Sequence, residues 1–325
     1  MIGALSTRSG AAALSVVSNG LLVMLKIAAA AITGSIAILT EAVHSAVDMS
    51  ASVIALVSIR KAEEPADADH PYGHEKMENL AAAIEGVLIL LGAGIIVYEA
   101  VRRLVIGADV QTLGVGIAVL AFSAVTNTAV SSYLGRQARR HDSPALEGDA
   151  AHLRADVLTS LGVMGGLVLV EVTGNAVFDP IAALAVAIAI LFAGARIVTR
   201  SSRVLVDEAP PRAELDRIEA AIAAARTPEV AGYHKLRARR AGSRRHIDLH
   251  VQFQEGTTLE RAHALAHQLR AAIESELGHA DVLIHVEPET SVSEGGGGSE
   301  DETSAADSAG GGGTGEGNSE GGPER

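Results

Sequence analysis

Apolar residues dominate the first two hundred positions of the chain, in long stretches separated by short polar links. Each stretch is apolar over roughly 20 residues, the length that a helix needs to cross a bilayer. Six such stretches cover residues 12–33, 36–58, 79–101, 113–134, 149–172 and 177–199. The pattern predicts a bundle of six transmembrane helices over residues 1–206, and a lipid bilayer as its surroundings.

The pattern changes after residue 206. Residues 212–226 and 258–277 have apolar positions at helical spacing, whereas residues 232–239, 246–254 and 281–288 resemble strands, most clearly HIDLHVQFQ with its period of two. This order predicts a small α+β domain over residues 207–290, arranged helix–strand–strand–helix–strand. Two helices are expected to cover one face of its sheet.

Composition agrees with a membrane protein: 48% of the residues are hydrophobic and the mean hydropathy is +0.27. The chain has no cysteine, which excludes disulfides and thiolate metal sites. Much of the net charge of −13 comes from residues 291–325, whose Gly, Ser, Glu and Asp content is typical of a disordered tail. We expect no nucleic-acid partner.

Basic residues that flank the spans lie mostly on one side of the predicted bundle. On that side are Arg60, Lys61, Lys76, Arg136, Arg139, Arg140, Arg200 and Arg203. Only Arg102 and Arg103 lie on the other side. Because cytoplasmic loops carry the excess of Lys and Arg, the pattern predicts a multi-pass plasma-membrane protein with both termini in the cytoplasm.

Two predicted spans contain the same polar pattern, EAVHSAVDMSAS at 41–52 and DAAHLRADVLTS at 149–160. His44 and Asp48 are four residues apart on one helix face, and so are His152 and Asp156. Each ionisable side chain at mid-membrane costs about 3 kcal/mol on insertion scales. Two facing helices would bring together two imidazoles and two carboxylates, a tetrahedral N/O site for a divalent ion that returns more than this cost.

The alternative is that each His–Asp pair is a packing or hydrogen-bonding device within its own helix. The repetition, in spans that run in opposite directions, instead favours one site near the bilayer midplane, as in inverted-repeat transporters. Glu41 and Asp149, one turn before each His, are either partners of that site or interfacial residues. Glu85 and Asn127 are expected to form hydrogen bonds between helices.

Two further groups of residues have metal-ligand chemistry. In the loop after the second span, Asp67, His70 and His74 form a zinc half-site by residue type, or a charged loop with incidental histidines. In the α+β domain, the histidines that fall on or beside predicted elements form either a His/carboxylate metal cluster or scattered surface histidines. They include His234, His250, His263 and His285.

Four stretches carry a family resemblance: SIAILTEAVHSAVDMSAS, DADHPYGHEKMENLAA, GDAAHLRADVLTSLGV and GYHKLRARRAGSRRHIDLHVQF. In this order they resemble the cation diffusion facilitator family over residues 8–290. The resemblance implies a proton-coupled exporter of Zn²⁺ with six spans and a cytoplasmic ferredoxin-like domain. It also implies a homodimer.

The resemblance also implies three metal sites. The transport site would be His44, Asp48, His152 and Asp156, and the loop site would be Asp67, His70 and His74. The soluble-domain site, bridging two chains, would be His234, His250, His263 and His285, with Glu287 as its acid. The chain departs from some members at His44, where several bacterial members have Asp, and at Val286, where some have Gln.

The expected function is proton-coupled export of divalent cations, with Zn²⁺ both transported and regulatory and Cd²⁺, Co²⁺, Ni²⁺ and Fe²⁺ as further candidate cargoes. An intramembrane zinc hydrolase is one alternative, but the HEK at 74–76 lacks the second His of H-E-x-x-H. A membrane-anchored metal sensor, which binds ions without moving them, is the other.

Overall fold

The computed structural model describes residues 6–34, 36–106 and 114–290. The tail predicted at 291–325 lies outside the described residues. Six long helices occupy the first part of the chain. They are α1 Arg8–Thr33, α2 Ile36–Ala62, α3 Lys76–Ile106, α4 Gly114–His141, α5 Pro144–Thr173 and α6 Phe178–Leu205.

Local sequence explains where several of these helices begin and end. Thr7 caps α1 by accepting a hydrogen bond from the Gly10 N–H (3.1 Å), and Ser143 caps α5 with Pro144 as its first residue. At the other ends Gly34 and Gly174 adopt left-handed φ angles of 67° and 70°, where an L side chain would be strained.

Five of these helices are long and apolar enough to cross a bilayer within the described residues. They are α1, α2, α3, α5 and α6. The predicted fourth span falls on α4, which is not among them. Hydroxyl and amide side chains such as Ser123, Asn127 and Ser131 lie along it, and it ends in Arg139 and Arg140.

The helices show the distribution of polarity that a bilayer imposes. Large apolar side chains such as Leu21, Leu91 and Phe192 point outward and are more than half exposed. Polar side chains are turned inward: Ser15 and Ser52 are fully buried. Because lipid offers no hydrogen-bond partners, this arrangement is stable in a membrane and unfavourable in water.

Helices α3 and α6 pack closely at glycines. A Cβ atom at Gly86 would lie 2.7 Å from the Val198 side chain, and one at Gly194 would lie 3.0 Å from Ile89. Small residues at such contacts allow helix backbones to approach without a hydrophobic driving force.

The second part of the chain is a three-stranded sheet with two helices. Its elements are α7 Arg212–Ala225, β1 Val230–Ala241, β2 Arg244–Phe253, α8 Leu259–Leu277 and β3 Ala280–Pro288. Strand β2 is central; it pairs antiparallel with β1 and parallel with β3. The parallel pair requires a crossover, which α8 supplies.

The sheet has one covered and one open face. On β2, Ile247, Leu249 and Val251 are buried, and they share a core with Ile222 of α7 and Leu269 of α8. Alternate residues of a strand point to opposite faces, so the positions between them lie on the face that the helices leave open.

Polar contacts join the sheet to the helical part. The Gly242 N–H at the β1–β2 turn donates to Asn79 Oδ1 (2.8 Å) on α3. Lys76 Nζ donates to Asp207 Oδ1 (2.8 Å), and Arg244 Nε lies 2.9 Å from Glu75 Oε1. The start of α3 is therefore attached both to the β hairpin and to the link that follows α6.

Candidate metal centre

The two polar repeats meet inside the helix bundle. Ligand atoms of His44, Asp48 and Asp156 lie within 4.8 Å of one another. On α2, His44 Nε2 is 3.7 Å from Asp48 Oδ2. Across the bundle, His152 Nε2 of α5 is 3.4 Å from Asp48 Oδ1. The structure thus brings the four predicted side chains of α2 and α5 to one place.

The His152 imidazole lies beside the ligand atoms of Asp48. It is buried, and apart from the 3.4 Å approach of Asp48 Oδ1 to Nε2, neither ring nitrogen has a hydrogen-bond partner within the described residues. A buried polar group without a partner loses stability, whereas coordination of a cation satisfies it. Two imidazoles and two carboxylates form an N/O set suited to a tetrahedral divalent ion.

A cavity of about 300 Å³ opens from this centre. On α2 its lining runs from Asp48 back to Ile38, and on α5 it runs from Asp156 on to Val163. Both directions lead toward the α1–α2 link, away from the loop that joins α2 to α3. On the side of the centre that faces the loop between α2 and α3, the Asp149 and Glu85 side chains are fully buried.

Lys26 of α1 lines this cavity, and the sequence identified it only as the one basic residue of its span. Its ammonium group donates to Glu41 Oε1 (3.0 Å) and Ser45 Oγ (2.6 Å), and it lines the same cavity as His44 and Asp48. Its side chain is only 5% exposed. The sequence signal that could have indicated this buried pairing was a single Lys in an apolar span, because such a residue needs a buried partner.

The two repeat acids, Glu41 and Asp149, have different surroundings. Glu41 is paired with Lys26 as described above. Asp149 is fully buried and accepts a hydrogen bond from Ser52 Oγ (2.7 Å), which itself bonds to Asn19 Nδ2 (2.8 Å). Asp149 is therefore not interfacial; it belongs to a hydrogen-bonded network between α1, α2 and α5.

The expectation of interhelical hydrogen bonds from Glu85 and Asn127 is wrong for the atoms that the structure describes. Both carboxylate oxygens of Glu85 and Oδ1 of Asn127 are buried without a hydrogen-bond partner among the described residues. Asn127 instead lines the cavity beside Asp156. Glu85 lies against Gly148, where an added Cβ atom would overlap Glu85 Oε2.

The loop residues also come together. Asp67 Oδ1 accepts from the His70 backbone N–H (2.6 Å) and lies 3.2 Å from His70 Nδ1, while Asp67 Oδ2 is 3.3 Å from His74 Nε2. The His70 N–H holds the pKa of Asp67 below its ordinary value. His74 is buried without a hydrogen-bond partner in the described part of the chain, so the group presents a carboxylate and two imidazoles.

In the soluble domain, three histidines form one cross-strand row. His234 pairs with His250 in register, and His250 pairs with His285, so all three lie on the open face of the sheet. Glu287 connects them: His234 Nε2 is 2.8 Å from Oε2, His250 Nδ1 is 2.6 Å from Oε1, and His285 Nε2 is 3.6 Å from Oε1.

His263 does not lie within this group in the single chain. It is exposed on α8, where its ring packs edge to face with His267 at 4.5 Å between centroids. The potential ligand atoms that converge on the sheet are those of His234, His250 and Glu287, with His285 adjacent.

The long apolar helices and the N/O side chains that converge inside the bundle define a class of protein: a membrane protein with candidate metal ligands within its helices. Comparison with known proteins places the chain further. The family model described as the cation efflux transmembrane domain matches residues 12–206. The model described as the cytoplasmic domain of cation efflux proteins matches residues 210–289. The chain belongs to the cation diffusion facilitator family, and it is a cation efflux transporter rather than an enzyme.

Individual relatives agree with this assignment. A protein of Synechocystis described as an uncharacterized transporter is 34% identical over 264 residues, covering 81% of this chain and 85% of its own length. The cation-efflux pump FieF of Klebsiella pneumoniae is 32% identical over 294 residues, covering 89% and 95%.

Two solved structures each match about a quarter of the chain. The zinc form of CzrB is 34% identical and covers 26% of this chain and 93% of its own, with a TM-score of 0.25. The metal-bound C-terminal domain of the CzcD transporter from Thermotoga maritima is 31% identical and covers 26% and 99%, with a TM-score of 0.23.

Proposed function

We propose that the protein is a proton-coupled antiporter that exports Zn²⁺ from the cytoplasm through His44, Asp48, His152 and Asp156. The observation that carries this proposal is the convergence of ligand atoms from α2 and α5 inside an apolar bundle. Ionisable side chains at this depth are unfavourable unless they serve an ion or a proton pathway. Relatives named as cation-efflux pumps support the direction of transport.

Ligand chemistry supports Zn²⁺ as the main cargo. An N/O set with two imidazoles suits Zn²⁺, whereas Mg²⁺ and Mn²⁺ prefer oxygen ligands in octahedral geometry. Cd²⁺, Co²⁺, Ni²⁺ and Fe²⁺ are secondary candidates because imidazole binds several transition metals.

Competition between metal and protons supplies the coupling. Zn²⁺ binds neutral imidazole and ionised carboxylate, so protons and metal compete for the same atoms. Imidazole has an ordinary pKa of about 6.5, close to physiological pH, which makes His44 and His152 the proposed proton carriers. An acidic exterior would protonate them and release the ion, and a neutral cytoplasm would favour loading.

The proposed topology has six spans, with α4 as the fourth, and both termini in the cytoplasm of a multi-pass plasma-membrane protein. Residues 1–206 are assigned to the transmembrane domain, 207–290 to a cytoplasmic ferredoxin-like regulatory domain and 291–325 to an acidic tail. With this topology the cavity beside Asp48 extends toward the exterior. The described conformation then corresponds to an outward-facing state.

The soluble domain is proposed to form a homodimer and to bind regulatory Zn²⁺. The open sheet face presents His234, His250, His285 and Glu287 in one group. Cytoplasmic Zn²⁺ on this face would draw two chains together, with His263 available as a ligand from outside the group. The loop residues Asp67, His70 and His74 are proposed as a further zinc site.

Zinc flux into proteoliposomes under a pH gradient tests the transport proposal. We expect Asp48→Ala and Asp156→Ala each to abolish flux while the purified protein remains folded and dimeric. Asp216→Ala, which removes an exposed acid from α7, is the matched control and should retain flux. Undiminished flux in both site variants would reject the site, and zinc binding without flux in the unmodified protein would favour a membrane-anchored sensor.

A further inference from the structure

A second cavity, of about 490 Å³, lies on the opposite side of the bundle from the opening described above. Its walls come from the end of α4, the start of α5, the end of α6 and the β1–β2 hairpin. Five arginines line it: Arg139, Arg154, Arg196, Arg200 and Arg240. Two acids, Asp142 and Glu147, also line it, so the cavity has a positive excess.

The acids of this cavity are already engaged. Glu147 accepts two hydrogen bonds from Arg200, at 2.6 and 2.8 Å. Asp142 accepts one from Arg245 at 2.8 Å. Arg240 pairs with Glu214 of α7.

Three arginines of the cavity are left without an acidic partner. Within residues 6–34, 36–106 and 114–290, neither Arg139 nor Arg154 nor Arg196 forms an ion pair. All three side chains are exposed and line one cavity, so their like charges favour an anion between them.

Arg154 is exposed, and its guanidinium group lies in contact with α4. It follows His152 by two residues on α5 and lies against α4 at Gly135, where an added Cβ atom would overlap the Arg154 guanidinium Nη2 and lie 3.5 Å from Cζ. Gly135 therefore provides the space in which this guanidinium lies across the helix. A side chain at that position would require the guanidinium group to shift.

We propose that this cavity binds the phosphate group of an anionic phospholipid. Guanidinium groups bind phosphate oxygens in bidentate geometry, and three of them can surround one phosphodiester. Basic pockets between transmembrane helices on the cytoplasmic side bind anionic lipid headgroups. The cavity is at that level because Arg139 lies in the last turn of α4 and Arg196 and Arg200 lie near the end of α6. Only its assignment to the cytoplasmic leaflet depends on the proposed topology.

Native mass spectrometry of the full chain in detergent tests the proposal, with phosphatidylglycerol and phosphatidylcholine as probes. The test variant is Arg139→Gln/Arg154→Gln/Arg196→Gln. The basic residues at this end of the helices, which include Arg60, Arg136 and Arg203, form a basic belt. The control, Arg60→Gln/Arg136→Gln/Arg203→Gln, removes the same number of charges from this belt but from residues outside the cavity lining. We expect the unmodified chain to prefer phosphatidylglycerol by about tenfold or more, and the test variant to lose about tenfold or more in affinity while the control keeps it.

Competition identifies the source of the phosphate. If millimolar glycerol 3-phosphate or inorganic phosphate displaces the lipid at the unmodified cavity, the site stands and a soluble phosphate is its ligand. Equal losses in the two triple variants would mean that the basic belt attracts lipid without a pocket, and the proposal would be overturned. Equal binding of the two lipids by the unmodified chain would overturn it as well. Gly135→Ala provides an independent check, since it should weaken lipid binding without removing a charge.

Discussion

His152 of α5 lies 3.4 Å from Asp48 of α2, measured from Nε2 to Oδ1, although the two residues are 104 positions apart and helices α3 and α4 lie between them along the chain. The contact connects the two polar repeats across the bundle. If both residues serve one ion, their effects on zinc binding must be coupled.

We therefore predict non-additive losses of zinc affinity. Asp48→Asn and His152→Gln should each weaken zinc binding by about tenfold or more, on the scale of losing a metal-site interaction. The double variant should lose less than the product of the two, with a coupling energy above about 0.5 kcal/mol. Isothermal titration in detergent measures this, with the exposed pair Asp216→Asn/His279→Gln as control. Strictly additive losses would mean that the two side chains act separately.

The part of this site that repeats in sequence was predictable. A spacing of four residues puts His44 and Asp48 on one helix face, and His152 and Asp156 on another, because the helical period can be read from neighbouring residues alone. The partner of Lys26 was not predictable, since its pairing with Glu41 depends on the relative rotation and height of α1 and α2. No local pattern encodes those two quantities.

The fold was predictable to a similar extent. Alternation on HIDLHVQFQ and helical spacing at 258–277 matched β2 and α8 to within two residues at each end. The cross-strand row of His234, His250 and His285 depends on register, and β1 has irregularities between Val230 and Gly232 and between His234 and Arg237. Irregular pairing of this kind breaks the period of two, so counting residues could not align these histidines.

A second prediction concerns metal preference. His44→Asp should shift transport away from Zn²⁺ and toward cations that favour oxygen ligands, because a carboxylate replaces one of two imidazoles. Competition of Cd²⁺, Co²⁺ and Mn²⁺ against zinc flux in proteoliposomes measures the shift. His279→Asp, which makes the same exchange at an exposed position of the soluble domain, should leave the preference unchanged. An unaltered ranking in His44→Asp would remove His44 from the ligand set.

The Lys26–Glu41 pair gives a third prediction. Lys26→Met should lower the melting temperature of the detergent-solubilised protein, because it leaves the partly buried Glu41 carboxylate without its cation. Glu41 is about one third exposed, so the loss should be below the 3–5 kcal/mol typical of fully buried pairs. Lys26→Met/Glu41→Gln should recover part of the stability. A double variant less stable than Lys26→Met would show that the pair is not the origin of the effect.

The fourth prediction concerns acid stability of the soluble domain. Burial alone would raise the pKa of Glu214, but hydrogen bonds from Arg240 and Arg245 hold it below the ordinary value of 4.5. A lowered carboxyl pKa stabilises the fold above that ordinary value, and the contribution is lost as pH falls through the lower folded pKa. Glu214→Gln should therefore reduce stability at neutral pH and flatten the decline of melting temperature below about pH 4.5. Asp216→Asn is the exposed control on the same helix, and an identical acid profile in Glu214→Gln would contradict the assignment.

The final prediction concerns the histidine row of the sheet. If zinc on the open face activates transport, His250→Ala/His285→Ala should raise the cytoplasmic zinc concentration needed for half-maximal flux, while the maximal rate at saturating zinc is retained. Glu287 keeps its contact with His234 in this variant, so residual binding should make the shift finite. His267→Ala/His279→Ala, which removes two exposed imidazoles from outside the row, should show no shift. Sedimentation of the purified chain with and without zinc measures association of two chains separately from activation of transport. A change in flux without any change in association would place the effect within one chain rather than between two.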